Sequence, residues 1–275
     1  MSGFVRLPSA VALAAGALLS AGAPVLAAEK VSEVTVREGV SVKFIENTDA
    51  GADAPIVILF AGGNGIINLH RWKGKGSPSG NFLVRTRRHW ASSGFQVVVP
   101  DAPSDRRTDG LDFWRTSKEH TGDIAAVIAH IRRSSKAPLF LVGTSRGTIS
   151  AAAIAAQMPP GTVTGIVLTS SVTRYNRARN KNRVQDAKLD AVRVPVLIAH
   201  HEDDACFVTV YSDLSAMAKA FVNAPSVKIV GYTGGGNYRG DECGPFAAHG
   251  FRGIERRVVG DIAQWIRTVA AGGKP

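Results

Sequence analysis

The sequence predicts an α/β domain in which a mostly parallel β-sheet is flanked by helices on both faces. Three observations lead there. Short continuous apolar runs recur at residues 56–60, 95–99, 139–142, 163–168, 194–199 and 227–230, and runs without polar alternation fit strands buried on both faces. Segments with apolar residues at three- and four-residue spacing lie between most of them, at 118–133, 146–157, 209–222 and 253–270, the spacing of amphipathic helices. Strand and helix thus alternate as in a doubly wound sheet. With 275 residues, 45% hydrophobic and 20% charged, the chain is too apolar for disorder and has no collagen-like or coiled-coil repeat.

Taken in order, residues 1–28 read as a secretory signal peptide, with a retained N-terminal anchor as the alternative. Arg6 supplies the positive end, an Ala- and Leu-rich stretch spans 11–19, and Val25-Leu26-Ala27-Ala28 offers small residues for cleavage. The apolar stretch is shorter than the roughly 20 residues a membrane-spanning helix needs. Cleavage leaves one domain, 29–275, of 247 residues with net charge +10. The expected destination is the periplasm or the medium, with no stable membrane insertion afterwards. Residues 31–46 alternate apolar and polar around Glu38-Gly39, which predicts an edge hairpin. Two stretches, 62–90 and 171–190, show no clear periodicity. Both follow strands, so both are expected at the carboxyl edge of the sheet, where ligands bind in open α/β folds.

The most informative motif is Gly143-Thr144-Ser145-Arg146-Gly147, a G-x-S-x-G between a predicted strand and an Ala-rich helix. In that setting the serine occupies a sharp turn above the sheet edge, at a helix N-terminus that favours negative charge. A serine hydroxyl needs a base, and the base needs an orienting carboxylate. On such an elbow the chain order is Ser, acid, His. Three histidines follow Ser145, namely His200, His201 and His249. The first two end a strand, where the acid belongs, so His249 is the expected base. The acid is expected at Asp204, with Asp203 as the alternative. Two N–H donors are required for the oxyanion. Arg146 would give one, and the glycine loop Ala61-Gly62-Gly63-Asn64-Gly65 the other, through Gly63 first and Asn64 second. That loop lacks the Lys-Ser/Thr ending of a phosphate-binding P-loop. No metal and no cofactor are expected: His200 and His201 are adjacent on a strand and point to opposite faces.

These residues resemble the α/β-hydrolase superfamily over nearly the whole mature chain. The resemblance implies an α/β-hydrolase fold with a short lid or none, Ser145 as nucleophile, Asp204 as acid, His249 as base, and the Gly63 and Arg146 amides as the oxyanion hole. The chain is also similar to secreted bacterial hydrolases with a Gly-Gly-x-Gly loop, an Asp-x-Pro-Ser-Asp stretch (here Asp101 to Asp105) and a Cys after the acid. It departs from the superfamily pattern in having Ala61-Gly62 where His-Gly is usual. Given the triad, Cys206 and Cys243 fall on the acid and base loops, and a disulfide between them is expected in an oxidising compartment.

The chemistry implied is cleavage of a carboxylic ester or thioester through an acyl-enzyme. Peptidase or amidase activity and acyl transfer use the same groups and stay open, as does a binding protein on this fold. The +11 net charge raises nucleic acid as a partner, but the basic residues are not interleaved with aromatics, so none is expected. Arg71, Arg106 and Arg177 are candidate rim residues for an anionic small-molecule ester, against the simpler view of a basic surface. Oligomeric state is not legible in the sequence.

Overall fold

The computed structural model describes residues 29–176 and 182–273; the predicted signal segment and Arg177 lie outside them. Eight strands form one sheet: β1 (Lys30–Arg37), β2 (Val40–Asn47), β3 (Ile56–Phe60), β4 (Gln96–Pro100), β5 (Leu139–Thr144), β6 (Gly165–Thr169), β7 (Val196–His201) and β8 (Val227–Tyr232). Their order is β1-β2-β4-β3-β5-β6-β7-β8. The hairpin of β1 and β2 and the pairing of β2 with β4 are antiparallel, and the other neighbours are parallel. The chain leaves β3 toward one edge and β5 toward the other. Between them lies the topological switch point, where a crevice opens at the carboxyl ends of the strands.

Strand side chains alternate between two apolar layers. Ile56, Ile58 and Phe60 of β3 join Leu139 and Leu141 of β5 in one layer, covered by α2 (Lys118–Ile131), α3 (Gly147–Gln157) and α4 (Leu214–Lys219). Val57 and Leu59 join Phe140 and Val142 in the other, covered by α1 (Phe82–Ser92) and α5 (Glu255–Ala270). Both faces of β3 to β7 are therefore buried, which is why these strands read as unbroken apolar runs.

Helix α1 begins inside the stretch 62–90, where sequence periodicity showed no helix. Its inward face includes Thr86 and Arg87 beside Phe82, Leu83, Val84 and Trp90, and the two polar residues break the apolar pattern. Thr86 is satisfied by donating to the Phe82 carbonyl (2.7 Å). Arg87 donates to Glu29 (2.9 Å) and to the carbonyls of Gly76 (2.9 Å) and Val84 (2.9 Å). The helix expected over 209–222 is shorter: a 3-10 turn at Tyr211–Asp213 leads into α4, which ends at Lys219. Among the described residues no helix is long and apolar enough to cross a membrane.

Candidate active site

Strand β5 delivers the chain into Ser145, which takes a left-handed φ of +53°, a conformation that costs a non-glycine residue energy and survives only where its surroundings enforce it. Here the Ser145 amide donates to the Thr169 carbonyl at the end of β6 (2.9 Å), and its carbonyl accepts from the Thr148 amide (3.0 Å) and hydroxyl (2.6 Å). The flanking glycines are steric necessities. A Cβ on Gly143 would lie 2.3 Å from the Gly147 carbonyl oxygen, and one on Gly147 would lie 2.2 Å from the Phe60 carbonyl oxygen. Helix α3 thus starts in contact with β3, and the serine stands at its N-terminus.

The loop after β3 packs against this elbow. A Cβ on Gly62 would meet the Ser145 Cβ at 2.8 Å and the Thr144 carbonyl oxygen at 2.9 Å. Gly62 to Gly65 form a turn closed by the Gly65 amide on the Gly62 carbonyl (3.2 Å), with Gly63 and Gly65 at φ +59° and +82°. Asp101, at the end of β4, holds the following segment: its carboxylate accepts from the amides of Ile67 (2.7 Å) and Leu69 (2.8 Å).

At the end of β7 the chain turns through Glu202 and Asp203 to Asp204. The Asp204 Oδ2 accepts from the Thr209 hydroxyl (2.9 Å) and lies 2.9 Å from His249 Nδ1 and 3.2 Å from His200 Nε2. Its Oδ1 accepts from the Cys206 amide (3.0 Å). Burial alone would push this carboxyl up. The charge of His249 and hydrogen bonds from His200 and His249 outweigh it and hold the group well below the usual carboxylate range. Asp203, by contrast, has a side chain 74% exposed. His249 occupies a 3-10 turn, Ala248–Gly250, anchored where Ser170 donates its hydroxyl to the His249 carbonyl (2.7 Å).

Ser145, His249, Gly62, Gly63 and Asn64 border one cavity of about 250 Å³, with Asn81, Phe82 and Pro245 on its walls. A second cavity of about 360 Å³ on another side of Ser145 is bordered by Gly63, Arg146, Val172, Val208 and both cysteines. Cys206 and Cys243 are joined in a disulfide that borders this second space and ties the acid turn to the loop leading to His249.

A family model described as serine aminopeptidase, S33, matches residues 73–209, a span that includes Ser145 and Asp204. A dienelactone hydrolase from Anabaena variabilis superimposes with a TM-score of 0.61 at 15% identity, covering 88% of this chain and 98% of that one. Est1E from Butyrivibrio proteoclasticus gives 0.60 at 14%, covering 88% and 99%. The Pyrococcus furiosus esterase Pf2001 gives 0.60 at 12%, covering 88% and 92%. The chain has the α/β-hydrolase fold. No curated protein matches its sequence.

On this fold the structure brings together Ser145, His249, Asp204, Gly63 and the two cysteines around one crevice, and places Arg146 beside Ser145. Two of the three rim arginines are not brought there, and Arg177 lies outside the described residues. Arg71 and Arg106 border neither cavity; Arg106 stacks on Trp114, 3.9 Å from the ring centre. Arg146 directs its guanidinium to Asp112 (2.9 Å). His200 and His201 turn to different partners, the carbonyls of Thr209 and Gly234 (each 2.7 Å). Donor atoms of Asp204, Cys206 and His249 lie within 4.8 Å of one another, but the Cys206 sulfur is committed to the disulfide. Sequence reasoning missed Asn81 and Phe82, which enter the cavity at the start of α1. The available signal was Asn81 as an N-cap ahead of Phe-Leu-Val; its side chain accepts from the Leu83 amide (3.2 Å).

Proposed function

We propose that this hydrolase cleaves carboxylic esters, with thioesters within reach of the same chemistry, through Ser145, His249 and Asp204. The observation that carries the reading is the 2.9 Å contact of His249 Nδ1 with a buried, multiply hydrogen-bonded Asp204, beside a cavity that His249 shares with the strained Ser145. A carboxylate on Nδ1 fixes the tautomer that leaves Nε2 free to accept the serine proton. Ser145 Oγ then adds to the ester carbonyl carbon, and the carbonyl electrons move to an oxygen stabilised by backbone amides of Arg146 and the Gly63 loop. Collapse expels the alcohol, which takes its proton from His249. Water deprotonated by the same histidine releases the acid and restores the serine.

The likeness to solved esterases supports an ester substrate. The S33 description of the matched family favours an amide as the second reading. Among the described residues, the ionised side chains bordering the second cavity are Arg146 and Asp241, one of each sign. Export behind the signal segment 1–28 is part of the same proposal, and a disulfide beside the acid suits an oxidising compartment.

Substitution Ser145→Ala tests the reading. The variant is expected to retain the wild-type circular dichroism, lose fluorophosphonate labelling, and lose hydrolysis of 4-nitrophenyl acetate by a factor on the order of 10⁵ or more. Turnover within tenfold of wild type would overturn it. A matched panel of esters and anilides separates esterase from amidase.

A further inference from the structure

Behind the glycine loop lies an arginine that the reaction just described does not use. Arg115 is 2% exposed and has no carboxylate partner among the described residues. A buried guanidinium without a counter-ion is costly to keep. Its two Nη groups donate to neutral partners: Nη1 to the Ser150 hydroxyl of α3 (2.8 Å), and Nη2 to the carbonyls of Ala61 (3.2 Å) and Gly63 (3.1 Å). The fit is close, since a Cβ on Gly65 would come within 3.0 Å of Nη2.

In a trans peptide unit the carbonyl and the following amide point in opposite directions, and the chain contains no cis bond among its described residues. Holding the Gly63 carbonyl therefore fixes the Asn64 amide facing away from Arg115. Holding the Ala61 carbonyl does the same for the Gly62 amide. The Gly63 amide belongs to the unit between them, whose carbonyl closes the turn through Gly65. The three amide planes from Ala61 to Asn64 are then set, two by one guanidinium and one by the turn.

We propose, building on the serine-hydrolase reading, that Arg115 is a positioning residue for the oxyanion hole, orienting the amides of the Gly62–Gly65 loop from behind without touching substrate. Ser150 anchors the guanidinium: its hydroxyl accepts from Arg115 and sits 3.0 Å from His120 Nε2. Burial, with the nearby Arg115 charge, pushes His120 down to about 3, so at neutral pH this histidine is neutral and adds no second positive charge. The Arg115 charge has the sign that favours an oxyanion, and the dry surroundings strengthen its field.

The test uses Arg115→Met, Arg115→Lys and Ser150→Ala, assayed on 4-nitrophenyl acetate and its thionoester, whose sulfur accepts oxyanion-hole hydrogen bonds poorly. For Arg115→Met, kcat is expected to fall about 10- to 100-fold with KM nearly unchanged, and the wild-type preference for the oxygen ester over the thionoester should shrink. Lysine should recover part of both effects, and Ser150→Ala should show a smaller loss of the same kind. A folded Arg115→Met enzyme with wild-type kcat and wild-type ester preference refutes the proposal. Should that variant fail to fold, Ser150→Ala with both quantities unchanged refutes it equally. Full activity in Ser145→Ala would instead sink the underlying reading, so the two failures are distinguishable.

Discussion

Asp204 concentrates more hydrogen bonding on one side chain than any other residue of the crevice. The Cys206 amide faces one oxygen, while Thr209, His200 and His249 converge on the other. Converting the acid to an amide keeps the shape but presents an N–H or a neutral oxygen to His249, favouring the wrong imidazole tautomer. Asp204→Asn is therefore expected to lower kcat by about 10⁴, whereas Asp203→Asn, at an exposed side chain, should change kcat by less than threefold; steady-state kinetics on one ester decides between them. At this scale the sequence was readable where chemistry follows chain order. Ser145, His249 and Asp204 each follow a strand end that could be located by pattern. Arg115 carried no such signal, because a lone arginine between Trp114 and Thr116 reads as surface, and its burial depends on three chain segments meeting. Asn81 was hidden for the related reason that its helix went unseen.

Elements show where local pattern competes with tertiary context. The central strands stand within two residues of their expected limits because burial on both faces leaves their composition uniform. Helix α1 was lost because it turns an arginine inward toward Glu29, a pairing that no local pattern contains. The residues of 209–222 carry helical spacing, yet the chain must first place Thr209 beside Asp204, and α4 begins only at Leu214. The start of α3 is the most constrained junction. Because its first residue abuts a β3 carbonyl, Gly147→Ala should destabilise the fold by about 3 kcal/mol or more, measured by urea unfolding. A loss below about 1 kcal/mol would mean that α3 can withdraw from β3 without cost.

Over the whole molecule, several of the basic residues are bound up in the fold. Arg37 bridges Asp105 and Asp123, Arg85 meets Glu255, Arg146 meets Asp112 and Arg174 meets Asp213. Several of these pairs join segments far apart in sequence, so these arginines serve tertiary contacts. The disulfide acts at the same scale. Closing a separation of 37 residues restricts the unfolded chain and should contribute about 3–4 kcal/mol. Because Cys206 also supplies an amide to Asp204, reduction is expected to cost activity as well as stability. Denaturant unfolding and ester hydrolysis with and without reductant measure both, and an unchanged unfolding midpoint would contradict the first.

The ion pair at Glu29 sets a limit on how far the front of this chain can be trimmed. Its carboxylate reaches Arg87, which is 2% exposed, and Arg88 at the surface. Were the proposed signal segment removed after Ala28, that carboxylate would stand on the first residue. A cut one peptide bond later would strand a buried cation under α1. Glu29 therefore marks the first residue that the fold itself needs.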